Sequence, residues 1–567
     1  MTYAFFYIAF CLLVIALCIK PLGWYMARVY MRRALLLELP LGWLERGIYR
    51  CCGVRADEEM SWKQYAAAIL MLGAVSFLVL YAMLLSQHLL PLNPQNMPAL
   101  APDLAFNVAM SFVTNTNWQS YGGETTLSYF SQMAGLTVQN FLSAATGMAV
   151  AVALCRGISR KRSDTLGNAW VDVVRSILYI LLPLSVLFAL FLASQGVVQN
   201  LLAYTPYLSL EGQEGLIAQG PAASQVAIKM LGSNGGGFFN ANAAHPFENP
   251  NAYTNLIQIL SILLIPASFT YLFGVMVGDR RQGWVLFSAM TIIFVPLALL
   301  AAYGELRPNP TLDSAIVDSA QGNMEGKEVR FGAASSAMWA VSTTATSNGS
   351  VNAMHASFAP LSGLIPLLFI QFGEVVYGGV GSGLYGMAVY VLLTVFIGGL
   401  MVGRTPEYLG KKIGAFEIKM ASLVVIIPAS MVLAGTAIAI STEAGRSGIL
   451  NPGAHGFTEV LYALSSASNN NGSAFAGLSA NSTFYNILLG VAMFVGRYWV
   501  MIPVLALAGS LATKSATPAG AGTLPTTTLL FTSMLAGVVV LLDVLTYVPS
   551  WALGPLADYV LLQGAVP

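Results

Sequence analysis

The chain has 567 residues, of which 56% are hydrophobic and only 9% are charged. A soluble globular domain carries about 25% charged residues, and a soluble protein with so few charges would expose large apolar patches and aggregate. The composition therefore excludes a soluble enzyme and predicts an all-α polytopic membrane protein. The formal net charge of +1 indicates no class of partner, and the five cysteines and four histidines show no spacing typical of a metal site.

Ten apolar segments are long enough to cross a membrane, which requires about 20 mostly apolar residues. The first, residues 3–19, lacks a positively charged n-region and a small-residue cleavage site, so we expect a retained transmembrane helix. The others are residues 65–85, 135–154, 177–193, 256–277, 285–302, 358–402, 420–440, 487–511 and 529–548. We therefore predict about ten transmembrane helices.

Basic residues cluster in alternate connections between these segments. The connection 20–63 contains eight Lys and Arg residues, whereas the connections 87–100 and 195–227 contain none. Because cytoplasmic loops carry the excess of Lys and Arg, we expect the basic connections in the cytoplasm and both chain termini on the opposite side.

A second pattern recurs four times along the chain. In each instance a short amphipathic segment precedes a polar, uncharged stretch, and a spanning segment follows. The short segments are residues 103–113, 222–231, 334–343 and 457–466, and the polar stretches read TNTNWQ (114–119), SNGGGFFN (233–240), TSNGSVN (346–352) and NNNGSAF (469–475). The anchors Asn115, Asn234, Asn348 and Asn470 lie 114 to 122 residues apart, which favours an internal repeat over four unrelated turns.

Four copies of such a unit can close around an axis, so that the polar stretches meet at the centre. Non-helical backbone is tolerated at membrane depth only where protein buries it or where it lines a water-filled cavity. We therefore predict four pseudo-fourfold repeats of helix, pore helix, filter and helix around a central ion pore. The predicted units are an N-terminal transmembrane helix with a basic loop (1–61), pore repeats at 62–162, 163–281, 282–412 and 413–514, the third with an interrupted second helix, and a C-terminal transmembrane helix (515–567).

The residue types in the polar stretches restrict the permeating species. An anion pore needs Arg or Lys, and a divalent-cation pore is expected to use Asp or Glu, but the stretches contain none of these. Their ligands are backbone carbonyls and Ser, Thr and Asn oxygens, which replace the hydration shell of a monovalent cation. Gly235, Gly349 and Gly472 permit positive φ angles that aim successive carbonyls at one axis, while Thr116 or Asn117 stands at that place in the first stretch.

Several long strings beside these stretches resemble a known family. SYFSQMAGLTVQNFLSAA, HPFENPNAYTN, NMEGKEVRFG, GRTPEYLGKKI and SANSTFYN together resemble the potassium-binding A subunit of Kdp-type potassium-transporting ATPases, over almost the whole chain. The resemblance implies a multi-pass protein of the bacterial inner membrane, with periplasmic termini, that binds a potassium ion and is related to Trk-type transporters. The implied partners are a KdpB-like P-type ATPase catalytic subunit, two small KdpC-like and KdpF-like membrane subunits, and phospholipid, but no nucleic acid.

Carried over by position, the resemblance implies an ion site made by the polar stretches. Its residues are Asn115, Thr116, Ser233, Asn234, Gly235, Ser347, Asn348, Gly349, Asn470, Asn471 and Gly472, with Gln119 as a support of the filter. The family pattern leads us to expect a small residue or cysteine where Asn348 stands. If Asn348 contributes only its carbonyl, the site is unchanged, whereas an amide that reaches the ion path would alter selectivity.

Ionisable residues inside spanning segments are functional candidates, because a charge at the membrane centre costs about 2.5–3.5 kcal/mol even on the lenient insertion scale. We interpret Arg497 as a positive barrier below the filter and Glu374 as a guide for the cation, and we include Arg404 as a candidate for the ion path or barrier. The alternative for Arg497 and Glu374 is a structural ion pair or a place near a helix end.

The segment 358–402 is long enough for two crossings, but two crossings would leave the following basic cluster outside the cytoplasm. We therefore predict one crossing, interrupted at GGVGSG (378–383). A glycine-rich break beside an intramembrane carboxylate is where a gate or a lateral ion exit would lie.

The sequence contains neither a G-x-x-x-x-G-K-[ST] phosphate loop nor an Asp-Lys-Thr-Gly phosphorylation motif, so we expect no catalytic chemistry in this chain. Three interpretations remain. The first is the ion-translocating subunit of an ATP-driven, high-affinity potassium uptake pump. The second is a stand-alone Trk-type potassium channel or cation symporter, and the third is a non-conducting receptor or scaffold. The repeat chemistry disfavours the third, and the family strings favour the first.

Overall fold

The computed structural model describes residues 2–33, 37–308, 320–401, 403–518 and 523–564. In this part of the chain, ten helices are long and apolar enough to span a membrane. They are Thr2–Tyr30, Trp62–Leu85, Ser131–Ser159, Ala169–Ser194, Ala252–Met276, Arg280–Glu305, Ser382–Met401, Ala415–Ser441, Thr483–Thr513 and Leu529–Leu553. Each overlaps one of the predicted apolar segments, so the prediction of an all-α polytopic membrane fold is confirmed.

Local capping signals mark the start of several spanning helices. Ser61 and Gln64 form a capping box ahead of Trp62–Leu85, and Asn251 and Thr254 form a second one at the start of a later spanning helix. In each box the side chains satisfy backbone N–H groups that have no partner inside the helix. The helix interiors are mostly apolar, and hydrogen bonds within each helix satisfy most of the other backbone polar groups, as a hydrocarbon environment requires; internal prolines interrupt these bonds in several helices.

Four shorter helices, here called short helices 1 to 4, lie between spanning helices and end directly before the polar stretches. They are Pro102–Val113, Ala222–Leu231, Gly332–Ala345 and Gly453–Ser468. Their 10 to 16 residues give lengths of about 15–24 Å, which is less than the roughly 30 Å of a hydrocarbon core. The four predicted amphipathic segments lie within these helices, whose residues are nearly all buried.

The long apolar stretch 358–402 is divided into two helices. Pro360–Gln371 is followed by a non-helical segment at residues 372–381, and Ser382–Met401 completes the stretch as far as it is described. The prediction of an interruption at 378–383 is confirmed for residues 378–381, whereas Ser382 and Gly383 already belong to the second helix; the break begins earlier than the glycines indicate, at residue 372. The last residue of the stretch lies outside the described residues.

The spanning helices that follow the polar stretches are the ones most enclosed by protein. In the most apolar window of each helix, the buried share is 78%, 78%, 72% and 61% for Ser131–Ser159, Ala252–Met276, Ser382–Met401 and Thr483–Thr513, against 28% for Thr2–Tyr30 and for Trp62–Leu85. The polar stretches therefore lie in the interior of the helix assembly, and the peripheral helices present apolar side chains outward.

Short strands and helices complete the connections. Two-stranded antiparallel sheets pair Met60–Ser61 with Thr165–Gly167, Thr205–Leu208 with Glu214–Ile217, and Glu407–Tyr408 with Lys411–Lys412. The remaining helices of more than four residues are Glu38–Cys51 and Pro555–Gly564 in the described chain.

Ion pairs hold the basic connections against the ends of spanning helices. Arg156 pairs with Asp172, and Arg160 pairs with Glu59 at 2.6 Å. The hydrogen bond from Arg160 lowers the pKa of Glu59 to about 2. The first pair is buried, so the Arg156 guanidinium binds two spanning helices together within the fold.

Candidate ion-binding site

Each polar stretch begins with the same backbone turn at the end of a short helix. Two residues of the turn have positive φ angles and are separated by one residue. The first is Asn115 (66°), Ser233 (47°), Ser347 (60°) or Asn470 (61°), and the second is Asn117 (52°), Gly235 (78°), Gly349 (80°) or Gly472 (101°). Asn115 thus corresponds to Ser233 and Ser347, one residue before the anchors Asn234 and Asn348 that the sequence spacing indicates.

The middle residue of each turn has a carbonyl oxygen that lacks a protein donor. The four middle residues are Thr116, Asn234, Asn348 and Asn471, all fully buried. Their N–H groups bind carbonyls of the preceding short helix at 2.8–2.9 Å, whereas no donor in the described chain reaches their own carbonyl oxygens. Since buried backbone carbonyls are normally paired, four unpaired ones at corresponding positions are suited to bind a cation.

The glycines of these turns lie directly against the free carbonyls of the neighbouring stretch. A Cβ on Gly235 would collide with the carbonyl oxygen of Asn348, and one on Gly349 with that of Asn471. A Cβ on Gly472 would collide with the carbonyl oxygen of Thr116 in the first stretch. The glycines are therefore required both by their positive φ angles and by this close approach.

Side-chain hydrogen bonds between successive stretches close the four turns into a ring. They run from Asn115 Nδ2 to the Ser233 carbonyl (2.8 Å), from Asn348 Nδ2 to the Lys229 carbonyl (2.9 Å), from Ser347 Oγ to the Asn470 carbonyl (2.8 Å) and from Asn470 Nδ2 to Thr116 Oγ1 (3.0 Å). These bonds join the first stretch to the second, the third to the short helix that precedes the second, the third to the fourth, and the fourth to the first. The side chains of Asn115, Ser347 and Asn470 therefore hold the ring together.

The first stretch has no glycine at the second positive-φ position, and Asn117 occupies it. Asparagine is one of the few residues other than glycine that adopt this conformation readily. Its amide donates to Asn140 Oδ1 at 2.9 Å and to the Gly235 carbonyl at 2.8 Å. The structure thus decides between the two residues that the sequence left open for this place, Thr116 and Asn117.

The Asn348 amide is engaged by its protein neighbours. Its Oδ1 accepts from the Ser350 N–H at 3.1 Å and from Thr343 Oγ1 at 3.2 Å, while its Nδ2 donates to the Lys229 carbonyl. The Asn471 side chain in the fourth stretch is held in the same way, by Ser473 and the Thr343 carbonyl. Only the carbonyl of Asn348 remains free at the ring.

Gln119 supports the second stretch rather than the first, which it follows in sequence. Its Nε2 donates to the Gly237 carbonyl at 2.9 Å, and its Oε1 accepts from the Gly237 N–H at 2.8 Å. Both backbone groups of this glycine are therefore fixed by one side chain from the neighbouring repeat.

Two cavities adjoin the ring. The larger has a volume of about 780 Å³ and is lined by Gln119, Gly349 and Gly472, among others. The smaller, of about 70 Å³, touches the ring at Ser347 and Asn470 on its other side. The two cavities give the ring an approach from each side.

Glu374 and Arg497 both line the smaller cavity. Glu374 is 4% exposed, has a φ of 53°, and leaves Oε1 without a hydrogen-bond partner in the described chain. Arg497 is 5% exposed and donates to the Ser143 carbonyl at 2.8 Å, but it forms no ion pair with any described residue. The structure therefore does not support the alternative that Arg497 is one half of a structural ion pair.

Arg404 is placed elsewhere. It follows the end of Ser382–Met401, and its guanidinium lies 3.5 Å from the Thr523 carbonyl. A helix of 20 residues separates it by about 30 Å from the break that contains Glu374. Arg404 lines neither cavity of the site.

Sequence reasoning missed three charged residues near the ring. Asp543 lines the smaller cavity with Oδ2 unpartnered in the described chain, and an acid within the apolar segment 529–548 was a signal for it. Lys229 and Glu248 form a buried ion pair beside the second stretch. Lys229 is the only charged residue of its short helix, which was the available signal for that pair.

Comparisons with known proteins agree with this architecture. The family model described as "Potassium-transporting ATPase A subunit" matches residues 9–560. A relative from Sorangium cellulosum is 61% identical over 554 residues, covering 95% of this chain and 96% of the relative. Relatives from Methylococcus capsulatus and Yersinia enterocolitica are 56% and 57% identical, with 96% and 98% of each chain covered.

All three relatives carry the name "Potassium-transporting ATPase potassium-binding subunit". The match to the family model begins within the first spanning helix and includes the other nine described spanning helices and all four polar stretches. The chain belongs to the family of potassium-transporting ATPase A subunits.

Proposed function

We propose that this chain binds potassium in the ring of polar stretches and passes it into an ATP-driven uptake pump. The observation that carries the proposal is the set of four unpaired carbonyls at Thr116, Asn234, Asn348 and Asn471. Rings of backbone carbonyls replace the hydration shell of potassium in known filters. The stretches contain no ionised side chain, which suits a weakly hydrated monovalent cation better than an anion or a divalent cation.

Under this proposal the other predicted site residues shape the ring. The side chains of Asn115, Ser233, Ser347 and Asn470 lie at the first positive-φ position, and Gly235, Gly349 and Gly472 provide the close approach. Gln119 anchors the end of the second stretch. The four repeats at residues 62–162, 163–281, 282–412 and 413–514 each contribute one quarter, flanked by units 1–61 and 515–567.

Below the ring, Arg497 acts as a positive barrier to free passage, and Glu374 attracts the ion into the small cavity. A guanidinium without an ionic partner beside a cation path raises the energy of a cation there. Residues 373–375 of the non-helical segment line this cavity, and the segment 372–381 forms the gate or lateral exit of the proposal. Arg404 has no part in it, because it lies at the far end of Ser382–Met401.

The energy comes from a partner. The chain has no phosphate loop and no phosphorylation motif, and its relatives are named as subunits of an ATPase. The proposed partners are a KdpB-like P-type catalytic subunit, small KdpC-like and KdpF-like subunits, and surrounding phospholipid. The proposed location is the bacterial inner membrane, with the basic connections in the cytoplasm and both termini periplasmic.

The test uses the purified complex of this chain with its ATPase partner, reconstituted into vesicles. Replacing Gly472 or Gly235 by Asp is expected to weaken potassium affinity and admit other monovalent cations, measured as potassium-stimulated ATP hydrolysis and rubidium uptake. Unchanged potassium affinity in both variants would refute the assignment of the polar stretches as the ion filter.

The competing function, a stand-alone Trk-type channel or cation symporter, is separated from the pump by the partner. Vesicles that contain this chain alone are expected to take up no rubidium, either down or against its gradient. Sustained uptake without the ATPase subunit or ATP would favour the channel or symporter.

A further inference from the structure

Beside the second polar stretch lies a buried ion pair that no step of the proposed transport uses. Lys229, on the last turn of short helix 2, and Glu248 are both fully buried, and their side chains are in direct contact. Buried ion pairs stabilise a fold poorly compared with apolar residues of the same volume, because both charges lose their hydration. The pair therefore has a role other than stability, and its contacts indicate which one.

The Lys229 ammonium contacts the backbone of the ring. It donates to the Gly236 carbonyl at 2.8 Å, one residue beyond the second positive-φ residue of the turn. Neutral hydroxyls make the corresponding bond in two other repeats: Ser111 Oγ to the Trp118 carbonyl at 2.9 Å, and Thr343 Oγ1 to the Ser350 carbonyl at 2.7 Å. At this position the second repeat therefore has a charged donor, whereas the first and third repeats have a neutral one.

The second stretch is also the one with the least conformational restraint of its own. Residues 235–237 are three consecutive glycines, which have more backbone freedom than any other residues. Side chains bind each of them: Asn117 holds the Gly235 carbonyl, Lys229 the Gly236 carbonyl, and Gln119 both backbone groups of Gly237.

Glu248 supports the restraint of the glycine stretch by Lys229 in two ways. Its Oε1 accepts from the Phe239 N–H at 2.9 Å, which fixes the chain just beyond the glycines. Its charge also offsets that of Lys229, which would otherwise repel a cation at the adjacent ring. The pair thus supplies a strong, charge-assisted donor at little electrostatic cost to the bound ion.

We propose that the Lys229–Glu248 pair is the specificity-determining positioning element of the ring, which keeps the glycine stretch from relaxing around an ion smaller than potassium. The inference rests on the proposed function, because it takes the ring as the potassium site. The stretch held by the pair fits potassium, and its carbonyls do not move inward to replace the tighter hydration shell of sodium. Without the Lys229–Glu248 pair, the backbone of the three glycines adjusts so that its carbonyls can approach the smaller ion, sodium.

The experiment measures apparent affinities for potassium and for sodium as stimulation of ATP hydrolysis in the purified complex. The variant is K229M/E248Q, in which both charges are removed together so that neither is left unpaired. We expect the potassium-stimulated maximal rate to persist and the ratio of sodium to potassium half-saturation concentrations to fall about tenfold or more, since a hydrogen bond from a charged donor is lost. A wild-type ratio would overturn the inference, and so would equal losses of the two affinities.

A second variant, K229T/E248Q, places at this position the hydroxyl donor that Thr343 provides in the third repeat. It is expected to recover part of the ion discrimination lost in K229M/E248Q. Identical ratios in the two variants would show that the bond to the Gly236 carbonyl does not set selectivity. If K229M/E248Q assembles poorly, K229T/E248Q is compared with the wild type instead. A wild-type ratio of sodium to potassium half-saturation in a normally assembled K229T/E248Q complex would then show that selectivity does not require a charged donor.

Lys411 provides a matched control. It is 1% exposed and donates to the Gly157 carbonyl at 2.8 Å and to two further carbonyls, but it lies outside both cavities of the site. K411M is expected to lower thermal stability and leave the sodium-to-potassium ratio unchanged. Gly472→Asp is measured in parallel: if it leaves potassium affinity unchanged, the ring assignment itself fails, whereas a response there with none at Lys229 refutes only the present inference.

Discussion

The carbonyl oxygen of Asn471 occupies the space that a Cβ on Gly349 would need. The two residues belong to different repeats, so the close approach is a property of the assembled ring rather than of either turn. The same relationship joins Gly235 to Asn348 and Gly472 to Thr116. A single added methyl group therefore tests whether the ring geometry sets ion binding.

Replacing Gly349 by Ala is expected to weaken apparent potassium affinity about tenfold or more, because the new Cβ displaces the free carbonyl of Asn471. The measurement is the potassium dependence of ATP hydrolysis by the purified complex. Gly278→Ala is the control, since Gly278 has a similar φ of 81° but open space around its Cβ position. Equal effects of the two substitutions would attribute the result to backbone strain alone.

Replacing Arg497 by Met is expected to uncouple transport from hydrolysis. The positive charge beside the 70 Å³ cavity is lost, so potassium that enters the cavity meets no barrier to free passage. The ratio of rubidium ions moved to ATP hydrolysed should fall several-fold, while hydrolysis continues. Arg497→Lys keeps the charge and should retain most of the coupling; an unchanged ratio in the Met variant would assign Arg497 a structural role.

Replacing Glu374 by Gln is expected to lower the maximal rate of potassium transport about tenfold and to leave the half-saturation concentration nearly unchanged. The carboxylate has an unpartnered oxygen in the cavity below the ring, so it acts on the ion after binding at the ring. Initial rates of rubidium uptake over a range of concentrations separate the two constants. Glu443→Gln, at an exposed position outside the cavities, controls for the loss of a charge; a change in affinity alone would contradict the placement of Glu374 below the ring.

The pair of His455 and Asp558 predicts a pH dependence of stability. His455 Nδ1 lies 3.0 Å from an Asp558 oxygen, and this hydrogen bond raises the pKa of the histidine. A group with a raised folded-state pKa contributes its full stability below the unfolded value of about 6.5 and loses it as the pH rises through the folded value. The melting temperature of the complex should therefore fall as the pH rises above about 6.5, and His455→Gln should flatten this part of the curve. A curve of equal slope in the variant would assign the dependence to other groups.

The sequence predicted the spanning helices, the interrupted stretch and the four polar stretches, because hydropathy and chemical type are properties of each segment by itself. It did not predict the register of the repeats. Asn234 and Asn348 looked like counterparts of Asn115, but the end of each short helix determines which residue begins the turn, and helix ends are not apparent from spacing. For the same reason, Asn117 rather than Thr116 was identified as the counterpart of the glycines only from its φ angle.

The contacts between repeats were also beyond the sequence. Gln119 follows the first stretch but binds Gly237 in the second, and Asn470 of the fourth stretch binds Thr116 of the first. Such partners are chosen by the closure of the ring, which brings together residues that are distant in the chain. Arg404 is the opposite case. It follows the apolar stretch 358–402 in sequence, but it lies at the far end of the helix Ser382–Met401 from the site.

The bond from Asn470 to Thr116 joins residues 354 positions apart, and it is the one that closes the ring. Without the fourth repeat, neither this bond nor the one from Ser347 to the Asn470 carbonyl can form, so the first three polar stretches are left as an open arc. A chain that terminates before its fourth repeat therefore cannot assemble a selective opening.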